Sequence, residues 1–81
     1  MNGFNVSHSR RAKERIRTLI PGLLREVVIR ILALEENPTG TGCVKNDAIP
    51  NGYTNIVDGY VILYIVDGRD VKIVDIYPEV R

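Results

Sequence analysis

Residues 60–66 read Tyr-Val-Ile-Leu-Tyr-Ile-Val, an unbroken apolar run rich in β-branched and aromatic side chains. Such side chains lose rotamer freedom in a helix but pack well on a pleated surface. The run therefore predicts a central, well-buried strand. Asp67-Gly68 follows it as a strong hairpin signal, with Arg69 and Asp70 completing the turn. Val71 to Tyr77 returns as the partner strand, and Pro78, which cannot donate to a ladder, ends it. Tyr53 to Val57 is a shorter strand on the other side, with Gly59 marking the break. One apolar face of this sheet has to be covered by another layer.

The N-terminal half supplies that layer. Phe4, Val6 and His8 alternate with Asn5 and Ser7, a strand signal, and Ser7 or Ser9 is placed to cap a helix. Ala12, Ile16, Leu19 and Ile20 fall at i, i+4, i+7 and i+8, one helical face. Arg10, Arg11, Lys13, Arg15 and Arg17 occupy most of the remaining surface. Pro21-Gly22 separates a second helix, from about Leu23 to Glu36. Its apolar arc is wide: Leu23, Leu24, Val27, Val28, Ile31 and Leu34, against an outer stripe of Glu26, Arg30 and Ala33. A helix so apolar needs cover on more than one side, from the sheet and from another chain. Asn37 to Gly42 is turn-rich, and the stretch on to Gly52, with Cys43, Val44, Lys45, Asp47 and Pro50, reads as loop. The predicted order is β-α-α-β-β-β: a single α+β domain over residues 1–81, two N-terminal helices on one face of a small antiparallel sheet.

Composition narrows the setting. In 81 residues, 44% hydrophobic and 26% charged residues fit a globular chain rather than a disordered one. Cys43 is the only cysteine, so no intramolecular disulfide forms and a reducing compartment is expected. No apolar run precedes the first charges, and Arg25, Glu26 and Arg30 interrupt the longest apolar stretch. Those features predict a soluble cytoplasmic protein without a membrane span. The net charge of +1 hides an asymmetry. Residues 1–30 hold seven Lys/Arg against two Glu, whereas residues 31–81 hold four against eight Asp/Glu. A basic helix face either contacts a nucleic acid or acidic partner, or merely solvates the domain.

Few residues suggest catalysis by themselves. His8 and Cys43 are single members of their types, with no third group to make a Cys–His nucleophile pair. No two metal ligands stand at a known spacing, and no metal or small-molecule cofactor is expected. Thr-Gly-Thr-Gly-Cys at 39–43 lacks the Lys-Ser/Thr of a phosphate loop, so turn chemistry explains its glycines. Tyr53, Tyr60, Tyr64 and Tyr77 all fall in the β region, where packing accounts for them without base stacking.

The order of several segments resembles the RelE/ParE superfamily of toxins from toxin–antitoxin operons. The segments are Ala12 in the first helix, Asn37-Pro38 after the second, and Gly42-Cys43-Val44-Lys45, where the family often reads G-C-x-K-L. They continue with residues 53–64 (YTNIVDGYVILY), against a pattern like Y-R-I-R-V-G-D-Y-R-I-L-Y, and the final VKIVDIYPEV. The resemblance implies a cognate antitoxin protein as partner, and the ribosome with its mRNA, or DNA gyrase, as target. If the chain is an enzyme, the resemblance makes it an endoribonuclease.

The departures bear on that activity. In the RNA-cutting branch, basic residues on the sheet stabilise the charge that develops at the scissile phosphate. Here the corresponding positions hold Thr54, Ile56 and Val61, and the last falls on Glu79 or is absent. The standard cleavage site is thus degenerate, leaving Lys45, Tyr77 and Arg81 as catalytic candidates. Arg10, Arg11, Lys13 and Arg17 are the candidates for contact with nucleic acid or partner. The readings left open are an antitoxin-neutralised toxin-like protein, an mRNA endonuclease with an atypical site, and a gyrase-directed or non-catalytic binding module.

Overall fold

The computed structural model describes residues 3–40 and 42–80. Two helices, α1 (Arg10–Thr18) and α2 (Pro21–Glu36), accompany five strands: β1 (Asn5–His8), β2 (Cys43–Asn46), β3 (Gly52–Val57), β4 (Tyr60–Asp67) and β5 (Asp70–Pro78). The strands form one sheet in the order β1-β5-β4-β3-β2. The α+β class and the central placement of the 60–66 run agree with the sequence. Two features of the sheet do not. Residues 43–46, expected as loop, form β2 and pair antiparallel with β3, from Cys43 opposite Asn55 to Asn46 opposite Gly52. A strand of four residues with exposed Val44 and Lys45 has no clear alternation. In addition, β1 runs parallel to β5, with Val6 opposite Val71 and His8 opposite Ile73. The sheet is therefore mostly antiparallel.

Both central hairpins turn through two residues. Between Val57 and Tyr60, Asp58 and Gly59 take positive φ of 49° and 79°, the type I′ pattern that matches the twist of the flanking strands. Between Asp67 and Asp70, only Gly68 has positive φ, at 60°, so Gly68-Arg69 forms the loop and Asp67 belongs to β4.

Ser9 caps α1: its Oγ accepts from the Ala12 amide at 3.0 Å and its hydroxyl donates to the Val74 carbonyl at 2.5 Å. The second contact ties the helix start to β5. α2 begins two residues earlier than expected because Pro21, with fixed φ and no amide hydrogen to lose, occupies the first turn. Ile20, assigned to the core face of α1, is instead the residue that caps α2, and it is 70% exposed. The core joins Ala12, Val27, Ile31 and Leu34 of the helices to Val57, Ile62, Tyr64, Val71, Ile73 and Ile76 of the sheet. Both helices therefore lie on one face.

The apolar arc of α2 divides in a way its sequence does not announce. Val27, Ile31 and Leu34 are buried, whereas Val28, Ile29 and Leu32 are 41, 50 and 56% exposed. Arg30, expected on the outer stripe, is half-buried and donates from Nη1 to Asn55 Oδ1 on β3 at 3.0 Å. It turns inward because Asn55, 2% exposed, is the buried polar residue among the described ones and needs a partner. None of the described helices is long and apolar enough to cross a membrane.

Candidate functional site

Strand alternation assigns the residues of β3, β4 and β5 to one face or the other. Tyr64 and Ile62 point into the core beneath the helices. Val61, one residue from Ile62, faces the opposite way. It stands opposite Ile56 on β3 and Tyr77 on β5. Thr54, Leu63 and Val44 form the neighbouring row on that side, since Thr54 pairs with both of the others. The positions where the resemblance places cations, Thr54, Ile56 and Val61, thus converge on the face away from the helices, with Tyr77 beside them. That part of the face is apolar, with Val44 62% exposed and Ile56 49%, while exposed Lys72 stands further along it opposite Ile65. Cationic stabilisation of a phosphoryl transition state has no source in Thr54, Ile56 or Val61.

The other catalytic candidates do not join Tyr77. Lys45 pairs with Tyr53, which pairs with Tyr64, so its row belongs to the helix-side face. Its Nζ lies 5.4 Å from the Tyr53 ring centre, within cation–π reach, and Tyr53 stacks on Tyr64 with ring centres 5.9 Å apart. Lys45 and Tyr77 are therefore on opposite faces of the sheet. Arg81 lies outside the described residues.

Next to the tyrosines is a polar cluster that spacing in the sequence does not reveal. Asn55 Nδ2 donates to Cys43 Sγ at 3.4 Å while its Oδ1 accepts from Arg30. The Tyr64 hydroxyl donates to the Pro38 carbonyl at 2.6 Å. Burial, then the hydrogen bond with Cys43, holds the Tyr64 phenol far above its ordinary range. Every polar group here has a partner, and no buried side-chain N or O atom among the described residues lacks one. The cluster fastens α2 and the loop after it to β2, β3 and β4. His8 and Cys43 sit on different strands at opposite edges of the sheet. Among the described residues no group of His, Cys, Asp and Glu is arranged to hold a metal ion.

Two surfaces on the helical side have binding character. The first is a groove between the helices and β1, lined by Val6, Ile16, Val28, Ile31 and Leu32, with His8 and Glu35 as its polar groups. Desolvation in the groove, and then the charge of Lys13, lowers the His8 pKa below its ordinary value. The second is the outer surface of α1. Arg11 and Arg15 lean toward β5, their nitrogens 4.0 and 3.4 Å from the Asp75 carboxylate. Arg10, Lys13 and Arg17 are exposed and hold no ion pair among the described residues. The four predicted contact residues thus divide: Arg11 is braced on the sheet, and the other three project to solvent with Glu14 among them.

No protein-family model matches this sequence, and no curated protein matches it. Solved structures do. The isolated RelE toxin of E. coli superposes with a TM-score of 0.82 at 18% identity, covering 96% of this chain and 86% of that one. A chain of the archaeal RelE–RelB complex from Pyrococcus horikoshii OT3 gives 0.82 at 17%, covering 100 and 99%. A chain of the chromosomal ParDE system from P. aeruginosa gives 0.76 at 14%, covering 99 and 100%. The chain has the RelE/ParE fold: two helices packed on a five-stranded, mostly antiparallel sheet.

Proposed function

We propose that this protein is the toxin-like component of a type II toxin–antitoxin pair, neutralised by a cognate antitoxin, and that it acts by binding rather than by the cationic RNA-cutting site. The observation that carries the partner is the outward face of α2. Val28, Ile29 and Leu32 are exposed beside an apolar groove, in a fold shared with chains of RelE–RelB and ParDE complexes. Exposed apolar side chains that adjoin a groove mark an interaction surface more often than scattered ones do. An amphipathic antitoxin segment, disordered alone, gains the burial it needs by folding onto that groove.

Binding without cleavage is supported by the apolar sheet face at Thr54, Ile56 and Val61 and by the separation of Lys45 from Tyr77. DNA gyrase is the target this reading favours, because inhibiting it does not require the missing cations. An mRNA endonuclease with an atypical site is the competing reading. A ribosome-programmed translation reaction, read by primer extension along the message, separates the two. The expected result is intact message; cleavage only on translated message overturns the binding reading. The antitoxin partnership is tested by co-expression with the product of the adjacent gene and size-exclusion chromatography. A stable complex lost in Leu32→Glu supports it. A monodisperse monomer that ignores the neighbouring product sinks it.

A further inference from the structure

The charges in the first turn of α1 are placed against the helix's own stability, whereas Arg15 and Arg17 in its last turn are not. The positive end of a helix macrodipole favours acidic side chains in the first turn. α1 has none there; its first four residues are Arg10, Arg11, Ala12 and Lys13. Like charges three or four residues apart add further repulsion. The helix contains three such pairs: Arg10–Lys13, Lys13–Arg17 and Arg11–Arg15. Asp75 relieves the last pair by lying between its members. Nothing among the described residues relieves the other two, apart from Glu14 on the same helix. The strain reaches β1, where Lys13 contributes to the lowered His8 pKa. Solvation of the surface does not require this placement, because glutamate in the first turn would solvate equally well and stabilise the helix.

The outward cations are regularly spaced. Arg10, Lys13 and Arg17 stand at i, i+3 and i+7, so they share one stripe about 10 Å long at the helical rise. The stripe is exposed, and the Arg11 and Arg15 brace to Asp75 fixes the helix beneath it. A row of cations at this spacing matches successive phosphates of an extended strand, which carries one charge per few ångströms. Among the described residues, the sheet face opposite the helices offers a nucleic acid the single cation Lys72 rather than such a row.

We propose that the outer stripe of α1, Arg10, Lys13 and Arg17, binds the phosphate backbone of a nucleic acid. The inference is independent of the antitoxin reading, because it uses a different surface and requires no second protein. Phosphates would supply the negative charge that the first turn lacks. Arginine offers paired donors to phosphate oxygens, and lysine supplies a mobile point charge. Binding through the backbone alone carries no sequence preference.

The test is fluorescence anisotropy with a labelled single-stranded RNA dodecamer, its DNA counterpart and a polyglutamate peptide as probes. With three contacts, log K is expected to fall against log salt with a slope of about −2, near 0.7 per neutralised phosphate on a single strand. The combined variant Arg10→Gln, Lys13→Gln, Arg17→Gln should flatten that slope nearly to zero. Arg10→Gln alone should reduce it by about a third, whereas Arg25→Gln, an exposed change of the same single charge on α2, should leave it in place. The double variant Arg10→Gln, Lys13→Gln, which leaves the favourable last-turn Arg17 in place, should melt at a higher temperature than the parent, a readout that needs no ligand. Binding of RNA or DNA with this pattern supports the assignment, and the preferred probe identifies the sugar. Binding that survives the triple variant, absence of binding at low salt, or tighter binding of polyglutamate overturns it. The last result would make the stripe a face for an acidic protein.

Discussion

Arg30 on α2 and Asn55 on β3 meet through a 3.0 Å hydrogen bond from Nη1 to Oδ1, a direct polar tie between the second helix and the sheet. Asn55 is almost wholly buried, and its Nδ2 continues the chain of contacts to Cys43 on β2. Asn55→Leu removes the acceptor while leaving a half-buried guanidinium without it. Hydrogen bonds to charged groups contribute about 1.5–3 kcal/mol, so a loss of that order is expected in urea denaturation. Replacing both partners, as Arg30→Leu with Asn55→Leu, should recover part of the loss. A double-variant cost equal to the sum of the two single-variant costs would show that the two residues are not coupled.

Two glycines, one in a hairpin turn and one in a helix, give substitutions of opposite sign. Gly59 has φ of 79°, and a Cβ there would meet nothing within 4 Å, so the cost of Gly59→Ala is conformational alone. About 1–2 kcal/mol is expected for an L-residue forced into the left-handed region. Gly22 lies in the first turn of α2 with equally open space and no positive φ. Gly22→Ala should stabilise by about 0.4–1 kcal/mol through the unfolded chain. Thermal melts of the two variants should therefore shift in opposite directions.

His8 provides a limit on the acid side. Burial and then Lys13 depress its pKa, so the folded state prefers the neutral ring. The unfolded chain takes up the proton first as pH falls through its own value of about 6.5, and stability declines from there downward. His8→Gln should flatten the stability profile between neutral pH and pH 5. An unchanged profile would assign the acid limb to carboxylates.

The elements legible in the sequence were those with strong periodicity or turn chemistry. The 60–66 run, the glycine turns and the Ser9 cap each carried a local signal, and the order of segments carried the resemblance. β2 was not legible because four residues with Val44 and Lys45 exposed have no pattern of their own; the strand exists through its pairing with β3. The inward turn of Arg30 was hidden for a related reason. Its position on the helical wheel is outward among apolar neighbours, and only the buried Asn55 across the interface draws it in. Candidate site residues were read as a set, but strand parity separates Lys45 from Tyr77. The register shift between Leu63 and Tyr64, which lets Ile73 and Ile76 both face the core three residues apart, is likewise unmarked in the sequence.

Tyr64 joins stability to alkaline pH. Its hydroxyl donates to the Pro38 carbonyl at 2.6 Å from a fully buried position, and its phenol is held far above the ordinary range by burial and then by Cys43. The folded state thus keeps a proton that the unfolded chain releases near pH 10. Below that pH the group contributes its full stability. Above it the unfolded state binds fewer protons, and unfolding becomes easier by about 1.4 kcal/mol per pH unit. Tyr64→Phe removes both effects. At neutral pH the variant should lose about 1–2 kcal/mol, because the Pro38 carbonyl is left without its donor. Above pH 10 its stability should fall less steeply than that of the parent, so the two curves converge. Parallel curves across that range would mean that another group titrates there, and that the Tyr64 hydroxyl is tied to the fold only through its hydrogen bond.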